Sequence, residues 1–130
     1  MTNFQRAQAM MALVGEGRSE EAARTYYADD VTIVEGNGDT FHGLETQLGR
    51  IQTWQATVKE MHDGGIRSMT VSEDGNTVHI ESWMDVTMAP GRMTMEEVAV
   101  QTWNDEGKIT HERFYYFVPA SMLMGMGEGG

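Results

Sequence analysis

TVHIESWMDVTMAPGRMTMEEVAVQTWNDEGKITHERFYYFV, residues 77–118, is the stretch that sets the fold class. Apolar and polar side chains alternate along it with the period of two that marks a half-buried strand. Two turn signals interrupt it, Pro90-Gly91 and Asp105-Glu106-Gly107, where glycine and proline supply the backbone angles of a reversal. Strands are therefore expected at 77–89, 92–104 and 108–118. A fourth, 66–73, closes upstream on Asp74-Gly75-Asn76. Tight connections join antiparallel neighbours, so the four read as a meander.

Towards the N-terminus the period lengthens. Phe4, Ala7, Met11 and Val14 recur at helical spacing over 3–15, and Gly15 and Gly17 end that helix. Ser19 reads as the cap of a second helix reaching about Ala28, with Glu20 and Glu21 in its first turn. A hairpin follows: Val31 to Glu35, a turn at Gly36-Asn37-Gly38-Asp39, then 40–42. Gly43 precedes a third helix, whose apolar face carries Leu44, Leu48, Ile51, Trp54 or Gln55, Val58 and Met61. Helices first and a meander after is the α+β pattern.

Composition narrows the function classes. The chain has 130 residues, the length of one domain. Its net charge of −11 argues against a nucleic-acid backbone or an anionic membrane as partner. With no cysteine, thiolate chemistry and cysteine-bound metals are excluded. No apolar run approaches a bilayer span, and the first residues do not resemble a signal peptide. A soluble, cytoplasmic protein is expected, with one domain over 1–121 and a flexible Gly/Met-rich tail over 122–130.

Alternate residues of a strand face opposite sides. If Pro90-Gly91 is a two-residue loop, Met88 pairs with Met93, Met84 with Glu97, Ser82 with Ala99 and Ile80 with Gln101. One face then carries Ile80, Ser82, Met84, Val86, Glu97, Gln101, Glu112, Phe114 and Tyr116, and is expected to meet the helices. The other carries Trp83, Val98, Val100, Tyr115 and Phe117 among charged residues. That is too apolar for a wholly solvated face, so a homodimer through the sheet is expected.

Three strings in this order resemble a known superfamily. They are Tyr27-Ala28-Asp29-Asp30-Val31-Thr32, Gly43 at the head of the long helix, and Trp103-Asn104-Asp105-Glu106-Gly107-Lys108-Ile109 leading into Glu112-Arg113-Phe114-Tyr115-Tyr116. The chain resembles the NTF2-like group, in the branch of ketosteroid isomerases and SnoaL-like polyketide cyclases. The resemblance implies a cone: three N-terminal helices packed on a curved antiparallel sheet, with a pocket at the open end. It also implies dimers formed through the sheet.

Glu35 then falls where a ketosteroid isomerase carries its catalytic carboxylate. The isomerase's hydrogen-bond donors would fall at Met10 or Met11 and at Ala99, none of which can donate to an enolate. A genuine steroid isomerase is therefore not expected. Glu97 and Glu112 share the inner face with Gln101 and Tyr116. Either they floor a pocket, with Glu35 as base, Glu112 as second acid/base group and Tyr116 as donor, or they lie near the strand ends, reach solvent, or are tied to Arg50, Arg67 or Tyr116. Trp54, Ile80, Ser82, Met84, Val86, Glu97, Gln101 and Phe114 are the expected lining. Neither the histidines nor the glycine turns form a metal or nucleotide motif, so no cofactor or metal is expected. The expected ligand is a small apolar carbonyl compound, to be isomerised, cyclised or dehydrated. A non-catalytic binding or accessory domain is the alternative.

Overall fold

Thr2 starts the first helix by a reciprocal cap: its hydroxyl accepts from the Gln5 backbone N–H at 3.1 Å, and its own N–H donates to the Gln5 side chain at 2.9 Å. In the computed structural model, which describes residues 1–117, α1 (Asn3–Gly15) and α2 (Ser19–Tyr26) lead into a hairpin of β1 (Tyr27–Val34) and β2 (Thr40–His42). Then come α3 (Leu44–Thr57) and the strands β3 (Glu60–Val71), β4 (Thr77–Met88), β5 (Gly91–Trp103) and β6 (Ile109–Phe117). The tail expected over 122–130 lies outside the described residues.

The six strands form one sheet in the order β2-β1-β6-β5-β4-β3. β3 to β6 are the antiparallel meander read from the sequence. β1 lies parallel to β6, with Ile33 opposite Glu112 and Val34 opposite Arg113. The sheet is thus mixed, and this one parallel joint sets the site, because it brings the end of the hairpin alongside the end of β6. The helices cover one face. Ala7, Met10, Ala22, Ala23 and Leu48 meet Val31, Ile33, Val78, Ile80, Trp103 and Ile109 in a single buried cluster. Each large aliphatic residue in it contributes about 1.5–3 kcal/mol through burial.

Several boundaries differ from the sequence reading. Arg18, not Ser19, is the N-cap of α2. Its guanidinium bonds Glu16 and Glu21, so Ser19 is left one position inside the helix. α2 stops at Tyr26 because Tyr27 already has extended backbone. α3 ends at Thr57 and does not reach Met61. The hydroxyls of Thr53 and Thr57 bond back to the carbonyls four residues earlier, a pattern that weakens a helix, and the Lys59 N–H already joins the sheet at Thr87. Met61 therefore sits exposed in β3, which starts at Glu60 rather than Ile66.

The β4–β5 turn is Ala89-Pro90, and Gly91 pairs with Met88. Met84 thus faces Met95, Ser82 faces Glu97, Ile80 faces Ala99 and Val78 faces Gln101. The register is two residues from the one the sequence suggested. A shift of two preserves parity, so the face assignments stand. Trp83, Val98 and Val100 lie half-buried on the face away from the helices, beside the more exposed Tyr115 and Phe117.

Candidate functional site

Between the inner sheet face and the helices lies a cavity of about 310 Å³. Met10, Met11 and Val14 of α1, Ile51 and Trp54 of α3, and Ile80, Met84, Met95, Ala99 and Phe114 of the sheet make it apolar. Methionine suits such a wall because its unbranched thioether adapts to irregular shapes. Into this lining project three carboxylates, Glu35, Glu97 and Glu112, and one guanidinium, Arg50. The carboxylates have three different environments.

Glu112 is 2% exposed. The Tyr27 hydroxyl donates to its Oε1, and the Gln101 side-chain amide donates to Oε2 at 2.8 Å. Trp103 Nε1 in turn donates to the Gln101 carbonyl at 3.2 Å. Burial pushes the Glu112 carboxyl above its usual range, and the two donors pull it part of the way back. Burial, reinforced by Glu112, raises the Tyr27 phenol well above its ordinary value. Both oxygens of Glu112 are therefore committed to the floor of the cavity.

Glu35 follows the last residue of β1 and opens the hairpin turn, its N–H bonded to the Asp39 carbonyl at 2.8 Å. Arg50 Nη2 donates to Oε1 and the Tyr116 hydroxyl to Oε2. Arg50 is fixed in turn. Its Nη1 donates to Gln47 at 2.8 Å, and its guanidinium lies 3.9 Å from the centre of the Phe41 ring. Three separate elements (hairpin, α3 and β6) thus converge on one carboxylate.

Glu97 sits on β5 between Ser82 of β4 and Tyr116 of β6. Among the described residues, none donates a hydrogen bond to it. Burial, then the charges of Glu112 and Glu35, push its carboxyl up to about 7. It is the group here that changes charge near neutral pH.

Of the residues singled out from the sequence, Glu35, Trp54, Ile80, Ser82, Met84, Glu97, Gln101, Glu112, Phe114 and Tyr116 all line this cavity. Val86 does not. It is fully buried beyond Met84, paired with Met93 and Met61 towards the hairpin end. Met10, Met11 and Ala99, where the isomerase donors would fall, line the cavity with no donor to offer. Not visible from the sequence were Tyr27, taken as helix, Gln47, and the role of Arg50, named only as a tie for Glu97 or Glu112. The helical spacing 47, 50, 51, 54 was the available signal, since all four residues line the cavity. Among the described residues, no group of histidine and carboxylate side chains is arranged to hold a metal ion.

Gly36 belongs to this geometry. A methyl group there would run into the Tyr116 ring, pushing the hydroxyl away from Glu35. Gly36→Ala should cost about 1–2 kcal/mol, typical of overpacking. Gly49→Ala is the control, because it adds a methyl in open space within α3 and should stabilise by roughly 0.5–1 kcal/mol. Urea melts that show no loss for Gly36→Ala would contradict the placement of Tyr116.

The SnoaL-like domain family matches residues 1–116. A candidate SnoaL-like polyketide cyclase from Mesorhizobium loti is 34% identical, with 89% of this chain and 100% of that one covered at a TM-score of 0.79. A ketosteroid isomerase-like protein from Catenulispora acidiphila, seen in complex with trimethylamine, is 21% identical over 81% of this chain and 79% of that one, at 0.65. An epoxide hydrolase from M. tuberculosis is 16% identical over 88% and 82%, at 0.70. These last two likenesses are of fold alone. Among curated proteins, none matches. Among the described residues, no helix is long and apolar enough to cross a membrane.

Proposed function

The chain belongs to the SnoaL-like domain family, and on that premise we propose that its cavity is a small-molecule site performing cofactor-independent acid/base chemistry on an apolar carbonyl compound. The observation that carries this reading is the convergence of Glu35, Arg50 and Tyr116 at the cavity wall. The two donors that hold Glu35 are of the kind an enolate oxygen needs. When a carbonyl oxygen takes the bonds from Tyr116 and Arg50, a carboxylate lone pair of Glu35 is released towards the neighbouring carbon. Glu35 then removes the α-proton, and the two donors hold the enolate. Returning the proton from Glu35 to another carbon isomerises the molecule; expelling a hydroxyl that takes this proton and leaves as water dehydrates it; attack on a second carbonyl, whose oxygen takes the proton, closes a ring.

A positioned base is worth about 10²–10⁴ in rate, and one oxyanion donor about 10²–10³. Donors on α3 and β6 stand in for those that Met10, Met11 and Ala99 lack. Glu112 serves this reading as a fixed floor, in place of the second acid/base group suggested by the sequence, because the donors on its oxygens, Tyr27 and Gln101, are themselves buried, whereas Arg50 and Tyr116 are open to a substrate oxygen.

A base-promoted ring opening that needs no knowledge of the natural substrate tests the proposal: deprotonation of 5-nitrobenzisoxazole, a small apolar molecule that releases a phenolate. The protein should exceed free acetate by a factor of roughly 10² or more. Glu35→Gln should remove at least about tenfold of that rate. An unchanged rate in Glu35→Gln would contradict the role of Glu35 as base. The non-catalytic alternative predicts binding without acceleration.

The same reading includes a homodimer formed through the outer sheet face. Burying one aromatic side chain there is worth roughly 1.5–3 kcal/mol, and a two-fold axis counts each substitution twice. Light scattering should find a dimer that Trp83→Glu dissociates. A wild-type monomer at high micromolar concentration would contradict it.

A further inference from the structure

The mechanism above leaves Glu97 unused, and its surroundings are unusual for a carboxylate. It shares the cavity with Ser82 of β4, Tyr116 and Glu112 of β6, Tyr27 of β1, Glu35 of the hairpin and Arg50 of α3. The charges of Glu112 and Glu35 act on it, and its own charge acts on the Tyr27 phenol. The guanidinium is committed to Glu35 and Gln47. Tyr116 donates to Glu35, and Tyr27 and Gln101 donate to Glu112. Among the described residues, no fully buried side-chain nitrogen or oxygen lacks a partner. The undonated oxygens of Glu97 must therefore open onto cavity space. Residues 118–130 contain neither lysine nor arginine, so no cation can come from that segment.

A charged carboxylate open to an apolar-walled cavity is costly, and the cost is relieved either by taking up a proton or by a cation seated on it; aromatic walls beside it favour the cation. The walls around it are those that suit an organic cation. Trp54 lines one side, and Phe114 and Tyr116 are stacked with ring centres 6.2 Å apart. Aromatic faces attract a cation that still carries an apolar body. A metal ion would require several oxygen ligands together, and Glu35 and Glu112 are already engaged. At about 310 Å³, the cavity holds on the order of ten water-sized groups.

We propose that the ligand of this cavity carries a protonated amine, its nitrogen against Glu97 and its hydrocarbon body between Trp54 and the Phe114–Tyr116 stack. This rests on the reading of the cavity as a small-molecule site and adds the chemical class of the occupant. The amine anchors the molecule; its carbonyl lies towards Glu35, Arg50 and Tyr116.

Calorimetric titration with three probes of one shape tests it: N,N-dimethylcyclohexylamine, cyclohexyl methyl ketone and cyclohexanecarboxylate. At pH 8 the amine should bind about tenfold or more tightly than the ketone, with the carboxylate weakest. Glu97→Gln should weaken the amine by about tenfold and leave the ketone within about threefold. Amine affinity should fall as pH drops from 8 to 5.5 and Glu97 takes up its proton. Circular dichroism should show Glu97→Gln folded, because glutamine keeps the shape. A ketone that binds as tightly as the amine overturns the proposal, as does amine binding that survives Glu97→Gln. In either case, ketone binding that Met84→Trp abolishes by filling the cavity would leave the small-molecule reading standing. If none of the three probes binds, both fall together.

Discussion

Replacing Glu97 by glutamine should raise the stability of the free protein at pH 8 by about 3 kcal/mol and change it little at pH 4. The carboxyl rises from 4.5 to about 7 on folding. Between those values the folded state holds a proton that the unfolded chain has lost. Stability therefore falls as pH rises through that window. Below 4.5 both states are protonated and the favourable contribution of the neutral acid is complete. Above about 7 it has been lost in full. Each pKa unit is worth about 1.4 kcal/mol. Glutamine cannot ionise, so the variant should lack the loss. Paired urea melts of wild type and Glu97→Gln at pH 4, 6 and 8 should diverge steadily with pH. Parallel curves would mean that water or a cation keeps Glu97 charged in the folded protein. A gain of stability on removing a charge is the exchange expected where a residue is kept for function.

Arg50→Met should act in the opposite direction, with a loss of about 2–3 kcal/mol at neutral pH. The pair is neither exposed nor sealed: the Arg50 and Glu35 side chains are 27% and 14% accessible. The loss should accordingly exceed the ~0–1 kcal/mol of a surface pair and fall short of a fully buried one. Most of it is the cost of leaving Glu35 without its cation. Combining Arg50→Met with Glu35→Gln removes that charge as well, so the double variant should recover most of the stability. A double-mutant cycle that gives simple additivity would show that the two groups do not interact.

What the sequence made legible was parity. Alternation along β4, β5 and β6 placed Ile80, Ser82, Met84, Glu97, Gln101, Glu112, Phe114 and Tyr116 on one face, and a register error of two residues did no damage because faces repeat every two. Parity could not show how far along a face the cavity extends, and Val86, correctly inward, falls beyond it. The start of β1 was hidden for a different reason. Tyr26 and Tyr27 are identical side chains in different conformations, one ending α2 and the other extended. Local propensity cannot separate them; the bond from Tyr27 to Glu112 links residues 85 apart. The partners of Glu35 were invisible in the same way. Arg50 and Tyr116 reach it only because α3 crosses the hairpin and β6 lies parallel to β1. Nor could the sequence separate the two inner-face carboxylates: burial raises both, but Tyr27 and Gln101 relieve it at Glu112 and no donor among the described residues does so at Glu97.

If the inner cavity is the small-molecule site, its methionines report the occupant directly. Methyl-labelled methionine spectra should be recorded while 5-nitrobenzisoxazole or cyclohexyl methyl ketone is titrated into the protein. Met10, Met11, Met84 and Met95 line the cavity, whereas Met1 and Met61 are exposed elsewhere. That placement of the site predicts saturable shifts at the first four methyls and none at Met1 or Met61. Shifts confined to Met1 and Met61, or no saturable shift at the cavity methyls with either probe, would contradict it.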